Sequence, residues 1–136
     1  MSLLHWNYFL ALEEELEKLS KYIEFTPDNF ATYSIETAKI LMAATQEVDV
    51  LIKMLCKKHN DKSAEEKAYN FFIKNTYPKL PTIDVKIPRY DISTQPFEKW
   101  NNNQTPIWWT ANNKIKHQRN TKFHEATLKN TIDAMA

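Results

Sequence analysis

The chain contains no glycine in its 136 residues. Phosphate-cradling P-loops, dinucleotide-binding turns and nucleophile elbows all place glycine where the backbone takes positive φ or comes close to a ligand, so none of these sites is expected. Tight two-residue hairpins are disfavoured for the same reason, which leaves helices joined by Asn- and Pro-containing loops. Cysteine is almost as scarce. Cys56 stands alone, so neither an intramolecular disulfide nor a thiolate metal cluster can form. A catalytic thiol would need a base and an activating environment, whereas Cys56 lies in an apolar helical pattern and reads as a buried core thiol. No apolar run approaches the ~18 residues of a membrane span. The start, Met1-Ser2-Leu3-Leu4-His5-Trp6, has no basic segment of the secretory kind, so no membrane association is expected and the cytoplasm is the expected location. Arginine occurs only at Arg89 and Arg119 among 18 basic residues.

What is present fits one domain over residues 1–136, long enough for a sizeable core. Hydrophobic residues make up 43% and charged residues 26% of the chain, an ordinary globular balance. The net charge of +1 argues against a general nucleic-acid coat but leaves room for a local basic site. That room lies near the end of the chain. Residues 1–30 are acidic, with Glu13, Glu14, Glu15, Glu17, Glu24 and Asp28 against Lys18 and Lys21. Residues 112–130 are basic, with Lys114, Lys116, Arg119, Lys122 and Lys129 against Glu125 alone.

The periodicity predicts an all-α fold: an antiparallel bundle of four to five helices, with a long loop and a short hairpin-like pair of strands inserted at about 78–105. Phe9, Leu12, Leu16, Leu19 and Ile23 alternate at spacings of three and four, one apolar stripe of a first helix over 3–25. Ala38, Leu41, Thr45, Val48, Ile52 and Leu55 do the same for a second, from an N-cap at Ser34 to about His59. Ser63-Ala64-Glu65-Glu66 reads as a capping box opening a third helix over about 64–76, which Pro78 ends. Ile83, Val85 and Ile87 alternate, with a weaker echo at Tyr90 and Ile92, while Pro81, Pro88 and Pro96 keep this region out of a central sheet. Phe97 and Trp100 are its expected anchors onto the bundle. Thr105 as N-cap and Pro106 at the first helical position open a fourth helix to about His117. Trp108 and Trp109 on it point about 100° apart, which suits core packing better than a stacking platform. A fifth helix is expected from Asn120 or Thr121 to the end.

The chemistry converges on residues 114–124. Arg119 offers a planar five-donor fork that can hold a phosphate or carboxylate with two parallel bonds; the alternative is a structural pair with a first-helix glutamate. His124, one turn inside a helix capped by Asn120, would meet the positive end of the dipole and stay neutral, able to act as a base. Against this, His124 shares a stripe with Leu128 and Met135, which suits a packed histidine. His117 could cap the fourth helix, join the site or replace His124 in it. His59, among Lys57 and Lys58 at a helix end, suits a capping role.

Arg119-Asn120-Thr121-Lys122-Phe123-His124, with four residues between Arg and His and Asn in the usual polar slot, resembles the Arg-x(4–6)-His signature of the HEPN superfamily. The run of long helices before it is similar to a HEPN bundle over most of the chain, and Trp108-Trp109-x-x-Asn112-Asn113-x-x-Lys116-His117 resembles uncharacterised bacterial HEPN-like proteins. The 78–105 segment departs from the minimal bundle. The resemblance implies a metal-independent endoribonuclease acting as a homodimer on single-stranded RNA, without a cofactor. Arg119, Asn120 and His124 would be catalytic, with His117, Lys114, Lys116 and Lys122 accessory, and a toxin–antitoxin or defence partner is implied. The other reading is a non-catalytic HEPN-like interaction or dimerisation module.

Overall fold

The computed structural model describes residues 3–136. Six α-helices span them: α1 (Leu4–Leu19), α2 (Ile35–Lys58), α3 (Glu66–Thr76), α4 (Ile107–His117), α5 (Arg119–Lys122) and α6 (Leu128–Met135). A two-stranded antiparallel sheet lies between α3 and α4, with β1 (Val85–Ile87) pairing β2 (Ile92–Thr94) and Ile87 opposite Ile92. Asp91 takes a left-handed conformation in the connection, φ 52°. In a chain without glycine this falls to an Asp, one of the few residue types that tolerates it.

The 24-residue α2 is the axis of the fold and packs against α6, α4, α1 and α3. Its start was legible in the sequence. Ser34 accepts from the Thr37 amide while Thr37 Oγ1 accepts from the Ser34 amide, a reciprocal cap that satisfies two free donors. Leu41, Cys56, Tyr69, Ile73, Trp100 and Ile115 are almost wholly buried in one cluster with Trp108 and Trp109. Leu16, Leu19, Ile40, Ile92, Leu128 and Ile132 form a second, and Met135 packs against both. Phe97 and Trp100 anchor the strand region as expected, stacked at 4.5 Å between ring centroids.

Four local expectations fail, each for a tertiary or local polar reason. The first helix ends at Leu19, not near residue 25, because the Ser20 hydroxyl turns back to the Glu17 carbonyl and the following amides close tighter i→i+3 bonds. Residues 63–66 form no capping box. The Ser63 amide donates to Asp61 Oδ1 at 2.8 Å, and Glu66 is taken by donors from distant segments. Trp100 Nε1–H donates to its Oε1 at 2.8 Å and Thr105 Oγ1–H to its Oε2 at 3.1 Å. The same bond removes Thr105 from capping, so α4 begins at Ile107 with Pro106 in the cap position. The expected last helix is broken into α5, a 3-10 turn at Phe123–Glu125, and α6. Thr127 caps α6 through the Asn130 amide, while the Leu128 and Lys129 amides donate to the carbonyls of Thr32 and Phe30. Those bonds tie the chain down just where a continuous helix would have to pass.

Candidate functional site

Arg119 and Asn120 form the start of α5, and His124 sits in the 3-10 turn that follows. All three are exposed. The break before Thr127 therefore corrects two expectations at once. His124 is not inside the first turn of a long helix, so no helix dipole bears on it, and it does not share the buried stripe of Leu128. Arg119 does not pair with a glutamate of α1 either. That pair is made by Arg89, whose Nη1 lies 3.3 Å from Glu17 Oε1. Arg119 has no carboxylate partner among the described residues; its Nη2 rests 3.9 Å from Met42 Sδ.

Glu125, the lone acid of residues 112–130, was missed by sequence reasoning. Its Oε1 lies 3.7 Å from His124 Nε2 and 3.5 Å from Lys114 Nζ, so one carboxylate gathers two of the candidate residues. The signal available was its isolation among basic neighbours. Lys116 and His117 are exposed in the last turn of α4, and Lys122 is half-buried at the end of α5. His59 ends α2 and is held by the Tyr77 hydroxyl at 2.8 Å, away from this segment in sequence and in its contacts.

Beside Arg119 opens a polar groove of about 800 Å³. Its walls are two helix faces. Met42, Thr45, Gln46 and Asp49 line it from α2, and Trp109, Asn112, Asn113 and Lys116 from α4. Both sets follow the spacing i, i+3, i+4, i+7 that puts side chains on one helix face. The stretch Ala64–Lys67 at the start of α3 also lines it. The Trp-x-x-Asn-Asn-x-x-Lys spacing noticed in the sequence thus becomes one wall of a cavity. The facing Asp49 was hidden among the polar positions of an amphipathic helix.

Asp49 has no cationic partner among the described residues. Near it lies the Tyr69 hydroxyl, wholly buried and without a hydrogen-bond partner at bonding geometry. Burial, and then the Asp49 carboxylate, push the Tyr69 phenol above its ordinary range.

Among the described residues no cluster of three or more His, Cys, Asp or Glu side chains is arranged to hold a metal ion. No helix among them is long and apolar enough to cross a membrane. No family model, curated protein or solved structure matches the chain.

Proposed function

We propose that the chain is a HEPN-like helical bundle, with the 78–105 segment inserted in it, that cleaves single-stranded RNA without a metal as a homodimer. One observation carries the reading: Arg119 and His124 are both exposed on consecutive turns, Arg119 without a carboxylate partner among the described residues and His124 with Glu125 3.7 Å away. A guanidinium with its fork uncommitted is suited to a phosphate and to the charge that develops on it during transfer. His124 would take the proton of a ribose 2′-hydroxyl or give one to the leaving 5′-oxygen, help that contributes ~10²–10⁴-fold. The electrons of the 2′-oxygen then form the new bond to phosphorus as the P–O5′ bond breaks, leaving a 2′,3′-cyclic phosphate and a 5′-hydroxyl. Glu125 would orient His124, and Asn120 the phosphate or the imidazole. Lys114, Lys116 and Lys122 would add positive charge for the RNA backbone, with His117 as an accessory residue.

One Arg and one His per chain make a thin site, which a twofold axis doubles. Light scattering should give the mass of two chains at micromolar concentration; a monomer counts against the dimer. Arg119→Ala and His124→Ala should each abolish cleavage with helicity unchanged. Arg119→Lys should fail too, since lysine loses the bidentate fork. Loss of activity in His117→Ala and not in His124→Ala would move the histidine role by one helix end.

A second reading, a non-catalytic interaction module, is favoured by a separate face. An apolar cavity of about 510 Å³ is bordered by Trp6, Phe9 and Leu12 of α1, Leu51 and Leu55 of α2, and Phe97. Trp6 is 57% and Leu51 43% exposed there, an apolar face of the kind that a partner can cover. A wild-type chain that leaves varied RNAs intact would favour this reading.

A further inference from the structure

The polar groove has two chemically different ends. Met42 and Asp49 are seven residues apart on α2, about 10 Å along its axis at 1.5 Å per residue. Lys116 of α4 lines the groove together with Met42, and Arg119, outside the lining itself, lies next to Met42 with its Nη2 3.9 Å from the sulfur. The Asp49 end carries Trp109, whose ring lies 6.3 Å from the ring of Tyr69, and the buried phenol that Asp49 perturbs. A phosphate fits the first end. It is disfavoured at the second, where Asp49 is joined in the lining by Glu65 and Glu66 against the single cation Lys67.

Asp49 has no cationic partner among the described residues, and its half-buried carboxylate, beside the Tyr69 hydroxyl, keeps acceptor capacity for further N–H or O–H donors. Among the four RNA bases, only guanine presents two adjacent N–H donors, N1–H and the 2-amino group, that a carboxylate can take as a pair. Uracil offers one imide N–H; adenine and cytosine each offer one amino group. The amides of Gln46 and Asn112 stand on the two walls as donors for the guanine O6. Trp109 is largely buried in the core and offers the groove little ring surface, but its indole N–H, unlike those of Trp100 and Trp108, makes no hydrogen bond among the described residues. The volume lies within the usual range of ligand sites, ~300–1,000 Å³.

We infer that this groove is a guanine-selective nucleotide subsite, with the base on Asp49 and its phosphate toward Lys116 and Arg119. The inference rests on the phosphate-binding role proposed for Arg119 and assigns the base that precedes or follows the scissile bond. It is tested without any cleavage by titrating the full chain with each of the four nucleoside 5′-monophosphates, and with inosine 5′-monophosphate, following the Trp109 indole resonance by NMR. Guanosine monophosphate should bind tightest. Inosine monophosphate, which keeps O6 and N1–H but lacks the 2-amino group, should bind about tenfold more weakly, the scale of one lost partner of a bidentate pair. Asp49→Asn should remove the guanine preference, and Lys116→Ala should weaken all nucleotides alike. Equal binding of all five nucleotides, or a guanine preference that survives Asp49→Asn, overturns the subsite. The inosine comparison needs no variant to fold. Guanine preference in a chain that leaves RNA intact would sink the catalytic reading alone; RNA cleavage without guanine preference would sink the subsite alone.

Discussion

The Arg119 guanidinium ends 3.9 Å from the sulfur of Met42, the residue that begins the α2 wall of the polar groove. A thioether is a weak acceptor, so this contact places the arginine without neutralising it. Its charge stays uncompensated beside a groove that Asp49, Glu65 and Glu66 line. The placement follows from packing between α2 and α4, not from an ion pair.

Arg119→Ala should therefore change stability little, within about 0.5 kcal/mol as for other exposed substitutions. Urea denaturation followed by circular dichroism checks this. A loss of about 2 kcal/mol or more would mean that Arg119 is a structural residue.

Glu66 should behave in the opposite way. It is the acceptor for the indole N–H of a wholly buried Trp100 and for Thr105. Glu66→Ala leaves that N–H unpaired, a cost of about 1–3 kcal/mol, visible as a lower urea midpoint. An unchanged midpoint would show that another acceptor replaces it.

Leu41 is fully buried on α2, and Leu41→Ala should cost about 2–5 kcal/mol. Cys56 is equally buried, and burial pushes its thiol up, away from the reactive thiolate. It should resist iodoacetamide in the native chain and react once the chain is unfolded in urea. Rapid native labelling would contradict the packing of α2 against α3 and α4.

Tyr69 gives a pH dependence with a definite sign. Its folded-state phenol titrates above the unfolded value of about 10. The stability that comes from its protonated form is thus complete below pH ~10 and is lost as the pH rises from there toward the folded value. The melting temperature of the wild type should fall more between pH 9 and 11 than that of Tyr69→Phe. Parallel alkaline losses in both proteins would contradict the burial of Tyr69.

The helical character and α2 were readable because their signals are local: a stripe of apolar residues and a serine three residues before Thr37. The cap of the third helix and the continuity of the last were misread where distant groups intervened. Glu66 looks like a capping residue until Trp100, 34 positions later, is known to donate to it. Residues 120–128 look continuous until the Thr32 and Phe30 carbonyls take the Leu128 and Lys129 amides. The candidate site divides the same way. Arg119 and His124 stood out by rarity and spacing, while the run Trp109–Lys116 stood out only as a resemblance, not as the wall of a groove. Glu125 and Asp49 owe their placement to contacts between elements, which no single stretch of sequence records.

The most direct test of the catalytic account is cleavage of a single-stranded RNA in EDTA, beside the same RNA carrying one 2′-deoxyribose at each mapped cleavage position. The all-ribose strand should be cut to products ending in a 2′,3′-cyclic phosphate. The deoxy positions should remain intact, because they lack the nucleophile that His124 would deprotonate. Cleavage at the deoxy positions, products ending in a 3′-hydroxyl, or no cleavage of any strand by the wild-type chain would contradict it.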